Sequence, residues 1–360
     1  MRLLHTGDIH IGSAFKNLPA EKAAMRRNEI LDGFRNLCAF AKEQGVGGVL
    51  IAGDLFDERK VPRSLQQEVA NIFAASKPVC FFYVSGNHDG TFAIENLPEN
   101  VYTFANAQGW HSYDLPENIT ITGADSAYFS GGLFHSLILR QERFNILLLH
   151  GEIARAETGS ADCIPLAYLQ NKGIDYLALG HIHIPMPTAA RLDGRGKYRY
   201  CGCLEGRGFD ECGERGFFLL DIQNGRIVNE QFYTLAKRSV WERSVDISAC
   251  QSYYDVERAV LTALVGVRGG DMVKVSLQGK HVLGLRKDIP LLTNTLSQKY
   301  FFVKVVDNAR VTIDLNAFSS DLTERGEFVR EVGRYELSEE ERAEILDVGL
   351  KALAGENIDL

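Results

Sequence analysis

The sequence predicts an α/β fold followed by a smaller α+β domain, and three observations lead there. The first 235 residues alternate short apolar runs with amphipathic stretches, as strands alternating with helices do. After about Lys237 that pattern gives way to a second one with no repeat of the motifs at the ends of the earlier runs. The chain of 360 residues, 45% hydrophobic and 24% charged, is long enough for two separate cores.

In chain order, a first short strand ends at the glycine of GDIH. A helix follows, because Ile30, Leu31, Phe34, Leu37, Cys38 and Ala41 recur with helical spacing. VGGVLIA (Val46 to Ala52), VCFFYV (Val79 to Val84), FNILLL (Phe144 to Leu149) and IDYLAL (Ile174 to Leu179) read as buried strands. Between the first two of these lies a helix with Leu65, Val69, Ile72 and Phe73 on one face, and Ser64 is its expected N-cap. GFFLLDIQNGRIVNEQFYTL reads as a hairpin turning at Asn224-Gly225. Beyond Lys237, WERSVDIS, the helical QSYYDVERAVLTALVGV and DMVKVSL predict a β-α-β unit. A helix from Leu285 to Lys299 and the strands FFVKVV and VTIDL, ending near Asp314, complete it. Ser338, three residues before Glu341, forms a capping box that opens an acidic helix with Leu346, Leu350 and Leu353 on one stripe. The expected division is 1–236, 237–335 and 336–360.

Composition narrows the function. A net charge of −8 argues against a general nucleic-acid coat, so any phosphate affinity is local. No apolar run reaches the length of a membrane span, and MRLLHTGDIH does not read as a signal peptide, so no membrane role is expected. The seven cysteines are irregularly spaced and suit reduced thiols in a cytoplasm. Cys201, Cys203 and Cys212 lack a CxxC pair and a nearby fourth ligand, so they do not make a zinc motif.

Chemistry gathers at the strand ends. GDIH places Asp8 and His10 after the first strand, GDLFD places Asp54 after the second, and SGNHDG places Asn87, His88 and Asp89 after the third. LLLHGE and LALGHIHIP then add His150, His181 and His183. In extended backbone, residues two apart project to the same side, so His181 and His183 point at one spot. Each motif alone has an ordinary explanation as a turn or cap. Five in order, at the ends from which α/β sheets build their sites, predict a centre for two metal ions. Imidazole mixed with carboxylate and amide oxygen suits Mn²⁺, Fe²⁺ or Zn²⁺ better than Ca²⁺ or Mg²⁺. Two such ions with Asp8 and Asp54 leave a local charge of about +2, which attracts phosphate whatever the charge of the whole chain.

The ordered pattern D-x-H, G-D-x-x-D, G-N-H-D, H and G-H-x-H, from Asp8 to His183, resembles the calcineurin-like metallophosphoesterase superfamily. HTGDIHIGSAF, GDLFDERKVP, LALGHIHIP, YCGCLEGRGFDECGERGF and the later GEFVRE and LSEEER are similar to SbcD-type DNA-repair exonucleases, in their YhaO-like bacterial branch. The resemblance implies a β-sandwich flanked by helices, with a smaller α+β capping domain. By position it implies one metal held by Asp8, His10, Asp54 and His183, and another by Asp54, Asn87, His150 and His181, with Asp54 bridging. Two ions clamp the attacking and leaving oxygens of an in-line displacement. His88 would protonate the leaving sugar oxygen, with Asp89 orienting its ring. Mn²⁺ is the first expectation for both ions. DNA is the implied substrate, an SMC-like coiled-coil ATPase the implied partner, and a homodimer the implied assembly.

Some positions depart from the resemblance. Asp57 stands where archaeal and eukaryotic relatives often carry histidine, and Cys201 and Cys203 replace a more usual Pro and Ser. The loop RLDGRGKYRY (Arg191 to Tyr200) is either a phosphate-steering element or a solvated hairpin. A small-molecule phosphodiesterase or phosphatase is the alternative reading. Protein phosphatases of the superfamily carry Arg-Gly after the second Asp of GDxxD, where this chain has Glu58-Arg59. A non-catalytic DNA-end-binding subunit is the third reading, which the complete ligand set disfavours.

Overall fold

A computed structural model of the chain describes all residues except 59, 90–95, 105–108, 156–158, 283–284, 313–320, 354 and 356–360. Arg59 and Asp314, which figure in the sequence reading, lie outside the described residues. The chain divides into two compact units, Met1–Ser239 and Val240–Leu360.

Among the described residues, two six-stranded sheets and a short two-stranded one, Glu152–Ala154 with Cys163–Pro165, make up the first unit. One runs in the order Arg226–Tyr233, Phe217–Gln223, Arg2–Thr6, Gly48–Ala52, Cys80–Val84, Val101–Thr103. The other runs Ala190–Arg191, Lys197–Tyr200, Tyr176–Gly180, Phe144–His150, Ile119–Gly123, His111–Leu115. Their central strands are parallel. Successive side chains of each strand enter different cores, which is why the runs are apolar throughout. Leu3, Leu50, Ala52 and Phe82 meet Ile121, Ile146, Leu148 and Ala178 between the sheets. Leu4, Val49, Ile51 and Phe81 pack outward on Ile30, Phe34, Leu37 and Phe73 of the helices Ala20–Glu43 and Arg63–Ala75. On the outer face of the second sheet, Leu147, Leu149, Leu177 and Leu179 pack on Phe134, Ile164 and Leu169. The expected sandwich flanked by helices is the observed one.

Several local expectations need correction. Ser64 is the second helical residue, and Pro62 is the N-cap, whose fixed φ of −56° starts the helix without a side-chain bond. The strands Val101–Thr103, His111–Leu115 and Ile119–Gly123 were not anticipated, because short runs mixed with polar residues give little periodic signal. Asn224 and Gly225, both at positive φ, turn the expected hairpin. The basic loop RLDGRGKYRY is a hairpin whose Lys197 pairs with Tyr176, at the start of the strand that ends at Gly180. That puts the loop about 13 Å from the histidine end at roughly 3.3 Å per residue. Its Arg195 is committed to Asp175 at 2.7 and 2.8 Å and to the carbonyls of Gln141 and Arg143. A fold-holding hairpin is therefore the better description.

The second unit has parallel strands Val240–Asp246, Met272–Gln278 and Phe302–Asp307, with helices Tyr253–Ala263 and Ile289–Ser297. Val245, Val256, Val260, Val275, Leu277, Leu292 and Leu296 fill its core. The capping box of Ser338 and Glu341 forms at the start of the helix Glu339–Leu353. Leu346 and Leu350 find their partner in Val329 and Val332 of the helix Glu324–Gly333, whereas Leu353 is exposed.

Candidate metal centre

Five loops meet at one end of the sandwich, three from one sheet and two from the other. Asp8 and His10 follow Arg2–Thr6, Asp54 follows Gly48–Ala52, and Asn87 to Asp89 follow Cys80–Val84. His150 is the last residue of Phe144–His150, while His181 and His183 follow Tyr176–Gly180. Hydrogen bonds tie the two sheets together there. His150 Nδ1 lies 2.9 Å from the Ala52 carbonyl oxygen, and the His181 N–H donates to Asp8 Oδ1 and Oδ2 at 2.9 and 3.0 Å.

The backbone is strained where the polar side chains converge. Asp8, His10, Asp54 and His181 have φ of +48°, +52°, +47° and +100°. Left-handed backbone costs a residue with a Cβ about 1–2 kcal/mol, and such strain concentrates at functional sites. Two glycines allow the close approach. A Cβ on Gly53 would lie 2.2 Å from His150 Nδ1, and one on Gly86 would lie 2.1 Å from Asp54 Oδ1.

Asp8, His10, Asp54 and His150 are buried. His10 Nε2 and His183 Nε2 lie 3.2 Å apart. Behind them, His10 Nδ1 lies 3.1 Å from Asp57 Oδ1, and His183 Nδ1 donates to Glu211 Oε1 at 2.6 Å. Glu211 draws the His183 ring proton to Nδ1 through a hydrogen bond, and the Asp57 carboxylate beside His10 Nδ1 favours the same tautomer by its charge, which leaves both Nε2 atoms free to meet a cation. Asp54 Oδ2 lies 3.7 Å from His10 Nε2 and 3.5 Å from His150 Nε2, between the two halves of the cluster. Asn87 Oδ1 is 2.9 Å from His150 Nε2. These converging acceptors fit a divalent cation.

Among the described residues, Asp8, His10 and His183 form one grouping with potential ligand atoms within 4.8 Å of one another, and Asp8, Asp54 and His150 form a second. A third grouping, His10, Asp57 and His88, already has a cation, because Arg207 Nη1 donates to Asp57 Oδ1 at 2.8 Å. His181 falls outside these groupings. Its ring lies 5.3 Å from that of His150, and its Nε2 is 3.6 Å from Asp162 Oδ2.

Protonation follows from burial. Burial and then the neighbouring Asp54 push the Asp8 carboxyl well above its ordinary range, the response of a carboxylate in need of a cation. Burial lowers His10 and brings His150 down to about 4, which keeps both imidazoles neutral as ligands.

His88 and Asp89 part company. The exposed His88 ring has Nδ1 3.1 Å from the Asp57 carbonyl oxygen, and its N–H donates to Asp54 Oδ1 at 2.9 Å. Asp89 does not orient that ring as expected. Its buried carboxylate accepts from the N–H groups of Leu55, Phe56 and Gly86 at 3.2, 2.9 and 3.1 Å. It thus pins the Asp54 loop to the Asn87 loop.

Sequence reasoning missed Arg207, Glu211 and Asp162. The visible signal was a motif-like stretch, YCGCLEGRGFDECGERGF, whose chemistry no spacing rule supplied. All seven cysteines are free, and Cys201 and Cys203 are buried. Among the described residues no helix is long and apolar enough to cross a membrane.

Residues 1–185 match the calcineurin-like phosphoesterase family. The chain is similar to the metallophosphoesterase YhaO of Bacillus subtilis, 27% identical over 70% of this chain and 64% of that one. It is also similar to the DNA double-strand break repair protein Mre11 of Methanopyrus kandleri, 24% identical over 76% of this chain and 64% of that one. An SbcCD nuclease subunit of Escherichia coli is 25% identical over 63% of this chain and 66% of that one. The chain thus spans just under two thirds of the length of these relatives.

Proposed function

The chain belongs to the calcineurin-like phosphoesterase family, and on that premise we propose that it is a metal-dependent DNA nuclease acting in DNA repair. It hydrolyses phosphodiester bonds from ends and within single strands. The observation that carries the metal chemistry is the pair of Nε2 atoms 3.2 Å apart, each on a ring whose Nδ1 faces a carboxylate. The names of the Mre11 and SbcCD relatives favour DNA as the substrate.

In this reading Asp8, His10, Asp54 and His183 hold one ion, and Asp54, Asn87, His150 and His181 hold the other. Asp54 would be common to both sets, since its Oδ2 lies 3.7 Å from His10 Nε2 and 3.5 Å from His150 Nε2. Two divalent ions, with Mn²⁺ first and Fe²⁺ or Zn²⁺ as alternatives, supply Lewis acidity and a water nucleophile at neutral pH. The buried carboxylates and neutral imidazoles fix where the phosphate binds. His88, whose Nδ1–H faces the Asp57 carbonyl, acts as the imidazolium: it gives its Nε2 proton to the leaving oxygen and is left neutral with the Nδ1 proton. Asp89 acts only by holding the loops that carry Asp54 and Asn87. The unit after Ser239 restricts which substrates are processed. An SMC-like coiled-coil ATPase partner, a homodimer and a cytoplasmic setting complete the reading by resemblance.

A second reading, a small-molecule phosphodiesterase, has one observation in its favour. A cleft of about 380 Å³ adjoins Asn87, lined by Ser85, Asp125, Tyr128, Ser160 and Asp162. Its carboxylates suit a compact uncharged group better than a polyanion. Incubating the purified chain and Mn²⁺ with linear duplex, single-stranded DNA and a nitrophenyl phosphodiester, side by side, separates the two. Cleavage of DNA that stops with chelator is expected. Turnover of the nitrophenyl ester alone would select the second reading, and undiminished hydrolysis in excess EDTA would overturn the metal chemistry of both.

A further inference from the structure

The stretch Glu205 to Glu211, from which Glu211 reaches His183, is built against the metal centre. Glu211 is 3% exposed. Its carboxylate receives His183 Nδ1 at 2.6 Å, the Arg207 backbone N–H at 2.7 Å, and Arg207 Nη2 and Nε at 2.8 and 3.2 Å. The Cys203 thiol approaches at 3.8 Å. Arg207 also reaches the other way, donating from Nη1 to Asp57 Oδ1 at 2.8 Å. That same oxygen lies 3.1 Å from His10 Nδ1. Two carboxylates therefore back the two imidazoles whose Nε2 atoms meet, and one guanidinium grips both carboxylates.

The planar fork of arginine suits this task, since it presents parallel donors at fixed angles where an ammonium offers a point charge. The segment is also anchored from behind. Arg26, fully buried, donates to Glu205 at 2.8 Å and to the Gly206 carbonyl at 3.0 Å. A segment needed only for packing has no reason to aim one carboxylate oxygen, Glu211 Oε1, at both a site histidine and the arginine that holds its neighbour's partner.

We propose that Arg207 and Glu211 are positioning residues for one half of the metal centre. Glu211 sets the tautomer and ring orientation of His183 directly, and Arg207 sets those of His10 through Asp57. The proposal rests on the metal reading of the site and goes beyond it by making this half separately tunable. Loss of such partners weakens metal binding by about 10–100-fold.

The test is a calorimetric titration of the full chain with Mn²⁺ alone, for the wild type, Glu211→Gln, Glu211→Ala, Arg207→Lys and Arg207→Ala. Thermal melts run in parallel. The expected result is two binding events in the wild type. In Glu211→Ala and Arg207→Ala one event is weakened about 10–100-fold and the other is unchanged, while Glu211→Gln and Arg207→Lys recover part of the loss. Wild-type affinities in both alanine variants would overturn the proposal, as would equal weakening of both events or a wild type without two events. If Glu211→Ala does not fold, the Arg207 variants, whose side chain is 21% exposed, decide the matter. A chain that binds two ions, loses one in these variants and leaves DNA intact overturns the nuclease reading while supporting this one.

Discussion

Replacing His88 with alanine separates proton transfer from metal binding. The ring is exposed, and its Nδ1 lies 3.1 Å from the Asp57 carbonyl oxygen. Losing one such contact costs about 1 kcal/mol of stability or less. The His88 backbone N–H that donates to Asp54 survives the substitution, and every residue assigned to a metal is retained. Metal binding should therefore hold at two ions. A positioned proton donor contributes about 10²–10⁴-fold, which at 1.36 kcal/mol per decade is roughly 2.7–5.4 kcal/mol of barrier. DNA hydrolysis should fall by that factor. A nitrophenyl phosphodiester should lose much less, because nitrophenolate leaves without protonation. Asn87→Ala and His150→Ala should instead weaken one ion and slow both substrates alike. Metal stoichiometry and kcat/KM on both substrates decide the case. If His88→Ala loses an ion, or slows good and poor leaving groups equally, the proton-donor role is wrong.

Three other perturbations follow from the geometry. Gly86→Ala places a Cβ 2.1 Å from Asp54 Oδ1 and 2.6 Å from Asp54 N. A carboxylate moved by about 1 Å should cost about 10²-fold in rate, and wild-type kinetics would show that the exact seat of Asp54 is unimportant. Glu29→Ala strips buried Arg26 and Arg238 of a carboxylate that now holds them at 2.6 Å, and should destabilise the fold by about 3–5 kcal/mol in urea unfolding. A loss below about 1 kcal/mol would count against that cluster as a structural tie. Ending the chain at Ser239 keeps the Arg238–Glu29 pair and should retain nitrophenyl phosphodiester hydrolysis while losing DNA processing. Normal degradation of long DNA by the folded fragment would remove the proposed role of the second unit.

The sequence alone determined the strands that carry the site, because runs such as FNILLL and IDYLAL are apolar on both faces and end in Asp, Asn or His. It also put Asp8, His10, Asp54, His150 and His183 at strand ends, and their ligand atoms cluster, whereas His181 stands outside those groupings. The turn at Asn224-Gly225 and the capping box at Ser338 were legible because their conformations depend on neighbouring residues alone. What depends on distant partners was not legible. RLDGRGKYRY follows the histidines in sequence yet lies at the other end of its strand. Asp89 stands beside His88 but spends its carboxylate on the backbone N–H groups of Leu55 and Phe56 in another loop and of Gly86 in its own. Arg207 and Glu211 follow His183 by more than twenty residues and return to it only because two sheets stack and the long helix clamps their loop. Periodicity and turn chemistry are local and can be read along the chain. The partner of a buried charge is chosen by packing between segments far apart in sequence, and only the tertiary structure decides it.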